Sequence, residues 1–286
     1  MEELKLIECP RDAMQGIKPF IETEKKIKYI NQLLKVGFDT IDFGSFVSPK
    51  AIPQMRDTAD VLKGLELESS KSSLLAIIAN KRGAEDAVQF EEINYLGYPF
   101  SISETFQQRN TNASIEESLS RVEQIKNIAD KHSKKLVLYI SMGFGNPYGD
   151  QWSPEIVIEW SEKLNKDFGV EILALSDTIG VSEPKIITEL FTHLIPALPQ
   201  IEFGAHLHTT PGTVFEKVEA AYNAGCRRFD GALKGYGGCP MAKDDLTGNM
   251  PTEQMIAWFD KNNINTNIND EELKNSIALA SSTFPL

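Results

Sequence analysis

Short apolar, β-rich runs recur along the chain, and most are followed by a longer segment whose apolar positions have helical spacing. Several runs are almost entirely apolar, as is typical of parallel strands covered on both faces. The pattern predicts eight strands, which are Leu4–Cys9, Thr40–Phe46, Leu74–Ala79, Ile93–Tyr98, Leu136–Met142, Glu171–Ser176, Ile201–His208 and Arg227–Ala232.

The segments between these strands carry helix start and stop signals. Ser114-Ile115-Glu116-Glu117 is a capping-box sequence, and Ser153-Pro154 places a capping residue before a first-turn proline. Thr23–Val36 and Val214–Ala224 have apolar residues at helical spacing, and a glycine directly follows each of them. These signals predict helices between the strands.

Eight β/α alternations in a chain of this length favour an α/β fold, a (β/α)₈ TIM barrel formed by a single domain over residues 1–286. We expect residues 265–286 to form a final helix and a tail. An open sheet is disfavoured because the first strand ends in Cys9-Pro10-Arg11-Asp12 and not in a glycine-rich phosphate turn.

Composition narrows the class of protein. The chain has 286 residues, and 41 Asp and Glu against 29 Lys and Arg give a net charge of −12. Nucleic-acid binding normally needs a basic face, so we expect no nucleic-acid partner. We also expect no membrane partner, since no apolar run is long enough to span a membrane and the N-terminus lacks targeting signals. Three cysteines are too few for a disulfide framework, so we predict a reducing, cytoplasmic location.

Polar residues collect at the predicted ends of the strands, where the loops of a barrel build the active site. In chain order these are Arg11-Asp12, Asp42, Ser45, Asn80-Lys81-Arg82, Asp177-Thr178, His206-Leu207-His208, Gly235–Pro240 and Gly248-Asn249.

His206-Leu207-His208 is the most informative of these segments. Residues i and i+2 of a strand point to the same face, so the two imidazoles can reach one metal ion. The alternative is a pair of histidines hydrogen-bonded at a polar barrel mouth, and on this segment alone the two interpretations are about equally supported.

Asp12 ends the first strand, which lies close to the seventh in a closed barrel. Two imidazoles, a carboxylate and an amide oxygen suit a six-coordinate divalent ion, so a metal here would be Mn²⁺ or Mg²⁺, with Zn²⁺ or Co²⁺ also compatible. The cysteine content excludes a thiolate-rich structural zinc site.

Arg11 and Cys239 each have two interpretations. Arg11 forms either a barrel-end ion pair or a fixed cation that faces a developing oxyanion. Gly235–Gly238 and Cys239 form either a simple turn or a flap that places a thiol over the site. Cys9 and Cys226 lie in apolar surroundings and are expected to be buried packing residues.

Taken together, five segments resemble 3-hydroxy-3-methylglutaryl-CoA (HMG-CoA) lyase, a member of the metal-dependent TIM-barrel superfamily of lyases and condensing synthases. These segments are Arg11-Asp12, Ser45–Lys50, Ser176–Gly180, His206-Leu207-His208 and Gly237–Pro240. The resemblance extends from about Leu4 to about Ile264, and the Phe-Val-Ser-Pro-Lys and Gly-Gly-Cys-Pro sequences are specific to the lyase branch.

The resemblance implies retro-Claisen cleavage of HMG-CoA to acetoacetate and acetyl-CoA, a step of leucine degradation, by a homodimer. It implies that Asp12, His206, His208 and Asn249 bind the divalent cation. It also implies catalytic roles for four residues: Arg11 neutralises the enolate oxygen, Cys239 transfers a proton, and His206 and Asp42 support the reaction. Motif position makes Gln15, Ser45, Asn80 and Thr178 candidate substrate contacts.

The sequence departs from the family pattern at three positions. Ala13 replaces the glycine of Arg-Asp-Gly, Asp42 replaces a glutamate, and Thr209 replaces an aspartate after the histidine pair. Three alternatives therefore stay open: a lyase for a related 3-hydroxyacyl-CoA, a Claisen-condensing synthase, and a barrel that binds metal or acyl-CoA without turnover. The synthase is disfavoured because such enzymes usually carry a long extension after the barrel.

Overall fold

The computed structural model describes residues 3–238 and 247–284. Eight parallel strands form a closed barrel, which confirms the predicted fold. The strands are β1 (Lys5–Glu8), β2 (Thr40–Ser45), β3 (Ser73–Ile77), β4 (Ile93–Ser101), β5 (Lys135–Ser141), β6 (Ile172–Ser176), β7 (Glu202–His206) and β8 (Arg228–Gly231).

The barrel closes where β8 lies between the first and the seventh strands. β8 pairs in parallel with β1 from Lys5 opposite Arg228 onward, and with β7 from Gly204 opposite Arg228 onward. The loops that follow β1, β7 and β8 therefore meet at one mouth of the barrel.

Helices surround the barrel, and their capping residues match the predicted signals. Ser114 and Glu117 form the predicted capping box, and Pro154 occupies the first turn of its helix after Ser153. The helix predicted over Thr23–Val36 ends earlier, at Leu33. The helices are α1 (Pro10–Gln15), α2 (Thr23–Leu33), α3 (Thr58–Lys63), α4 (Lys81–Ala87), α5 (Glu104–Thr111), α6 (Ile115–Lys131), α7 (Pro154–Phe168), α8 (Pro184–Ala197), α9 (Val214–Asn223), α10 (Thr252–Lys261) and α11 (Asp270–Thr283).

The interior of the barrel is divided into two halves. On β3, β5 and β6 the inward side chains form an apolar cluster that consists of Leu75, Ile77, Val137, Tyr139, Ile172 and Ala174. On β7, β8 and β1 the lower interior holds an ionic network: Glu202 accepts hydrogen bonds from Lys5 Nζ at 2.6 Å and from Arg228 Nη1 at 3.1 Å. Gly204 leaves room for the Arg228 stem, because a Cβ there would lie 3.1 Å from Arg228 Cδ.

Outside the strands, a larger apolar core joins the barrel to its helices. The last helix, α11, packs against α2, so the C-terminal part of the described chain covers the first β/α unit. Among the described residues, no helix has the length and apolar character needed to cross a membrane.

Candidate active site

The first turn of α1 places Arg11 and Asp12 at the mouth of the barrel. Pro10 occupies the first helical position directly after β1, a place where a proline's missing N–H costs no hydrogen bond. Arg11 and Asp12 are 7% and 9% exposed, so both charges are largely removed from water. Ala13 lies within the same helix and needs no positive φ, so alanine fits where the family pattern has glycine.

Arg11 is held in one orientation by three side chains. Its Nε and Nη2 donate to the carboxylate of Asp42, and its Nη1 donates to Asp12 Oδ1 at 3.2 Å and to Gln15 Oε1 at 3.0 Å. Asp42 is fully buried, and burial raises the pKa of its carboxyl to about 6 although Arg11 opposes the shift. The pKa of Arg11 is raised by both carboxylates against the effect of burial, so the guanidinium stays charged.

His206 lies between two carboxylates. Its Nδ1 is 3.1 Å from Asp230 Oδ2, and its Nε2 is 3.6 Å from Asp12 Oδ2. Burial lowers the pKa of His206, but the hydrogen bond to Asp230 and the charges of both carboxylates outweigh it, and the net shift is upward. If Nδ1 donates to Asp230, the Nε2 lone pair is directed toward Asp12 and is available to a cation.

His208 does not continue the seventh strand as the sequence predicts. β7 ends at His206, and His208–Thr209 instead forms a short antiparallel ribbon with Gly248–Asn249. The ribbon still leaves the two imidazole centroids 5.7 Å apart. It also brings Asn249 to the cluster, where its side chain donates to Tyr236 O at 2.8 Å and is one of the groups that lower the pKa of Asp12.

A divalent cation fits this cluster. Asp12, His206 and His208 each offer one ligand atom, and the three atoms lie within 4.8 Å of one another. Within the part of the chain that the structure describes, buried His208 Nδ1 has no hydrogen-bond partner. Burial, followed by the neighbouring His206, lowers the pKa of His208 to about 4, which keeps its imidazole neutral as a metal ligand requires.

The local charge also favours a cation. Asp12, Asp42 and Asp230 supply three carboxylates, which outnumber the two buried guanidinium groups beside them, those of Arg11 and Arg228. A second group of possible ligands, Cys9, His206 and Asp230, shares one histidine with the first. Cys9 and Asp230 do not line the cavity at the mouth, so the Asp12 group is the one that opens to it.

That cavity has a volume of about 250 Å³ and a lining of both polar and apolar residues. The polar lining includes Arg11, Asp12, Gln15, both histidines and Thr178, and the apolar lining includes Val47, Ile52, Ile77 and Phe106. A larger cavity of about 890 Å³ lies at the opposite end of the barrel, and none of the predicted site residues that the structure describes lines it.

The remaining predicted residues have different surroundings. Gln15 and Thr178 line the cavity, and Thr178 Oγ1 accepts a hydrogen bond from Met142 N at 2.9 Å. Ser45 is buried below it, where its Oγ accepts from Val47 N. Asn80 caps α4 by accepting from Gly83 N, and it does not line the cavity. Cys239 lies outside the described residues.

Three residues at the site were missed by the sequence analysis. Asp230 orients His206, Tyr139 packs against the His206 ring with centroids 5.4 Å apart, and Lys217 contacts the main chain of His208. The sequence could have pointed to Asp230 and Lys217, because each is a charged residue at a position of a predicted strand or helix that should face the protein interior. Tyr139 carried none, because an aromatic residue in a buried strand is ordinary core.

Comparison with known proteins identifies the family of this chain. The HMGL-like family model matches residues 4–279. The chain belongs to the HMGL-like family. Hydroxymethylglutaryl-CoA lyase YngG of Bacillus subtilis is 38% identical over 92% of this chain and 87% of its own length. The mitochondrial hydroxymethylglutaryl-CoA lyase of Mus musculus is 34% identical over 95% of this chain and 83% of its own.

Solved structures of the HMGL-like family superpose over nearly the whole chain. The HMG-CoA lyase of Bacillus subtilis has a TM-score of 0.91 at 35% identity, covering 99% of this chain and 94% of its own. An HMG-CoA lyase from Acinetobacter baumannii, solved with coenzyme A and 3-methylmalate, has a TM-score of 0.89 at 32% identity and covers 98% of this chain and 91% of its own. The family resemblance inferred from the five sequence segments is thus confirmed.

Proposed function

We propose that this chain is a carbon–carbon lyase that cleaves HMG-CoA to acetoacetate and acetyl-CoA and requires a divalent cation. One observation carries the proposal: a fixed guanidinium and a cluster of two imidazoles and a carboxylate line the same cavity. Membership of the HMGL-like family and the hydroxymethylglutaryl-CoA lyases among its relatives support the choice of substrate.

Asp12, His206, His208 and Asn249 would hold the cation, and the mixed oxygen and nitrogen donors suit Mg²⁺ or Mn²⁺, with Zn²⁺ or Co²⁺ also compatible. When bound, such an ion lowers the pKa of a hydroxyl group that it coordinates. Asp230 and Asp12 flank the His206 ring and orient it, and the catalytic role of His206 stays a prediction.

Arg11 has the position needed to stabilise the leaving group. In the cleavage, the tertiary hydroxyl of the substrate gives its proton to a base, and its oxygen becomes the ketone oxygen of acetoacetate. The electron pair of the breaking carbon–carbon bond moves into the acetyl thioester, which becomes an enolate. The guanidinium, fixed by Asp42 and Gln15 at the cavity wall, balances the enolate oxygen without having to reorganise. Both Asp42 oxygens contact Arg11, so we assign Asp42 a positioning role.

The enolate carbon must then take up a proton, and Cys239 is the proposed donor. On the substrate side, Gln15 and Thr178 are the predicted contacts that line the cavity. Ser45 and Asn80 do not line the cavity, so their roles in substrate binding stay predictions. Leucine degradation, a cytoplasmic location and a homodimer likewise remain predictions.

A lyase for a related 3-hydroxyacyl-CoA is the second candidate. Thr209 is buried beside His208, and its hydroxyl contacts Asn249 O at 3.4 Å, where the family pattern has a carboxylate. A changed charge next to two proposed ligands can alter which acyl group is accepted.

A coupled assay for acetoacetate tests the proposal. We expect the purified protein to cleave HMG-CoA with added Mn²⁺ or Mg²⁺ and to lose activity with chelator. We expect His206→Ala to lower kcat at least about 100-fold, as removal of an electrostatic contact does in other enzymes. The exposed His193 serves as the matched control, since His193→Ala leaves the cluster intact.

Two results contradict the proposal. Chelator-resistant cleavage excludes the metal role. Absence of cleavage with stoichiometric Mn²⁺ bound excludes HMG-CoA as the substrate, and a panel of 3-hydroxyacyl-CoA thioesters then separates a related lyase from a barrel that binds without turnover.

A further inference from the structure

Lys217 is a buried cation that the proposed reaction does not use. It lies on the inner face of α9, is 4% exposed, and extends toward the mouth of the barrel. Its Nζ donates to His208 O at 2.7 Å and to Asp177 Oδ2 at 3.1 Å. The ammonium thus joins a carboxylate to the main chain of a proposed metal ligand.

Asp177 organises the loop that follows β6. Its Oδ1 accepts from Val181 N at 2.8 Å and from Ser182 N at 3.1 Å, and its Oδ2 accepts from Ser182 Oγ at 2.5 Å. The same loop carries Thr178, which lines the cavity. Lys217 therefore adds a side-chain link between the loop after β6 and the segment after β7, beside the main-chain hydrogen bond from Asp177 N to His206 O.

The local main chain explains why such a link matters. β7 ends at His206, so His208 is held by a two-residue ribbon and not by the barrel sheet. A ribbon of this length has little stability of its own. A charged donor on the His208 carbonyl fixes the main chain from which the imidazole projects, and charge-assisted hydrogen bonds are stronger than neutral ones.

We propose that Lys217 is a positioning residue that sets the affinity of the site for its divalent cation by holding His208 and the Asp177–Ser182 turn together. The inference deepens the proposed function, and it depends only on His208 being a ligand. Groups that orient metal ligands change metal affinity by about 10- to 100-fold when removed. Lys217→Met keeps the length of the side chain and removes both interactions.

The chain provides a matched control in a second buried lysine. Lys26 is 2% exposed, donates to Asp57 Oδ1 at 2.6 Å and also donates to Gln54 O. It therefore has the same kinds of partners as Lys217, one carboxylate and one carbonyl, but these lie outside the ligand cluster. Lys26→Met therefore also removes a buried ion pair, but it leaves the contacts of His208 unchanged.

The experiment measures Mn²⁺ affinity of the metal-free proteins from the free Mn²⁺ signal in electron paramagnetic resonance, with the melting temperature of each protein as a second readout. We expect Lys217→Met to raise the Mn²⁺ dissociation constant about 10- to 100-fold. Lys26→Met lowers the melting temperature and leaves the dissociation constant within about twofold of the parent. Lys217→Arg, which keeps the charge, recovers part of the affinity.

An unchanged dissociation constant in Lys217→Met overturns the inference, and so does an equal loss of affinity in both methionine variants. If Lys217→Met does not fold, Lys217→Gln takes its place, because the glutamine amide keeps hydrogen-bond donors but has no charge. Its Mn²⁺ dissociation constant is then interpreted in the same way. A parent protein that binds Mn²⁺ but does not cleave HMG-CoA contradicts the proposed function alone, whereas a parent that binds no Mn²⁺ contradicts both.

Discussion

At the scale of single residues, the site depends on one positive charge, that of the Arg11 guanidinium, which is held in position before the substrate binds. Five contacts to Asp42, Asp12 and Gln15 define the position of its guanidinium before any substrate arrives. A lysine has one point charge and no planar fork, so it cannot keep both the Asp42 and the Asp12 contacts.

We expect Arg11→Lys and Arg11→Met each to lower kcat by about 100- to 1,000-fold, because the enolate loses its fixed counter-charge. Steady-state kinetics with HMG-CoA measure the effect. Mn²⁺ affinity separates it from damage to the ligand cluster, and we expect that affinity to stay within about tenfold. A lysine variant with near-parent kcat would show that any cation suffices at this position.

Sequence alone identified the residues that follow strand ends, and it missed those that support them. Asp12, His206 and Gln15 lie next to distinctive motifs, so position along the chain points to them. Asp230 and Lys217 act through partners 24 and 9 residues away, and nothing in the local pattern says which imidazole or carbonyl they contact.

At the scale of elements, the ribbon between His208–Thr209 and Gly248–Asn249 is the feature that the sequence could not predict. Apolar alternation continues through Leu207, so the pattern favours one long strand up to His208. The break depends on pairing between His208 and Asn249, which are distant in the chain and are neighbours only in the folded protein. The barrel strands were predictable because each carries its own apolar run.

Gly248→Ala tests the importance of the ribbon. A Cβ at Gly248 would lie 2.5 Å from Gly235 O, so the ribbon must shift and carry Asn249 with it. We expect Mn²⁺ affinity to fall at least about tenfold while the far-ultraviolet circular dichroism of the barrel is retained.

Gly16→Ala is the matched glycine control for that variant. Among the described residues no atom lies within 4 Å of a Cβ at Gly16, and its φ is −86°, so alanine is accommodated there. Equal Mn²⁺ affinity in the parent and both alanine variants would show that the ribbon does not control the position of Asn249.

At the scale of the whole molecule, hydrogen bonds to Glu8 connect β1 to the segments that follow β8. Its Oε1 accepts from Leu233 N at 2.9 Å and its Oε2 contacts Thr252 Oγ1 at 2.6 Å. Complete burial raises the pKa of the Glu8 carboxyl to about 8, which outweighs the effect of both hydrogen bonds. The folded protein therefore keeps a proton on Glu8 at neutral pH that the unfolded chain releases.

The raised pKa of Glu8 determines the direction in which the stability of the protein changes with pH. The folded pKa lies above the unfolded value of about 4.3, so between these values the folded state binds more protons and its stability falls as pH rises. The slope from one group is at most about 1.4 kcal/mol per pH unit, and it ends above the folded pKa of about 8.

Glu8→Gln removes this titration and keeps both hydrogen bonds, since an amide oxygen can accept from Leu233 N and the amide nitrogen can donate to Thr252 Oγ1. Urea unfolding of both proteins at pH 5.5, 6.5 and 7.5, with chelator present, measures the difference. We expect the loss of unfolding free energy with rising pH to be smaller in the variant. Parallel curves for the two proteins would contradict the raised pKa.

The closure of the barrel by β8 also has a consequence for the order of events during synthesis. The proposed ligands come from Asp12 near the start of the chain, from His206 and His208, and from Asn249 near its end. The segment that carries Asn249 follows β8 in the chain, and β8 itself pairs with both β1 and β7 in the closed barrel. A chain emerging from the ribosome thus cannot assemble the complete ligand set until Asn249 has been translated, so a cation held by all four ligands could bind only late in synthesis.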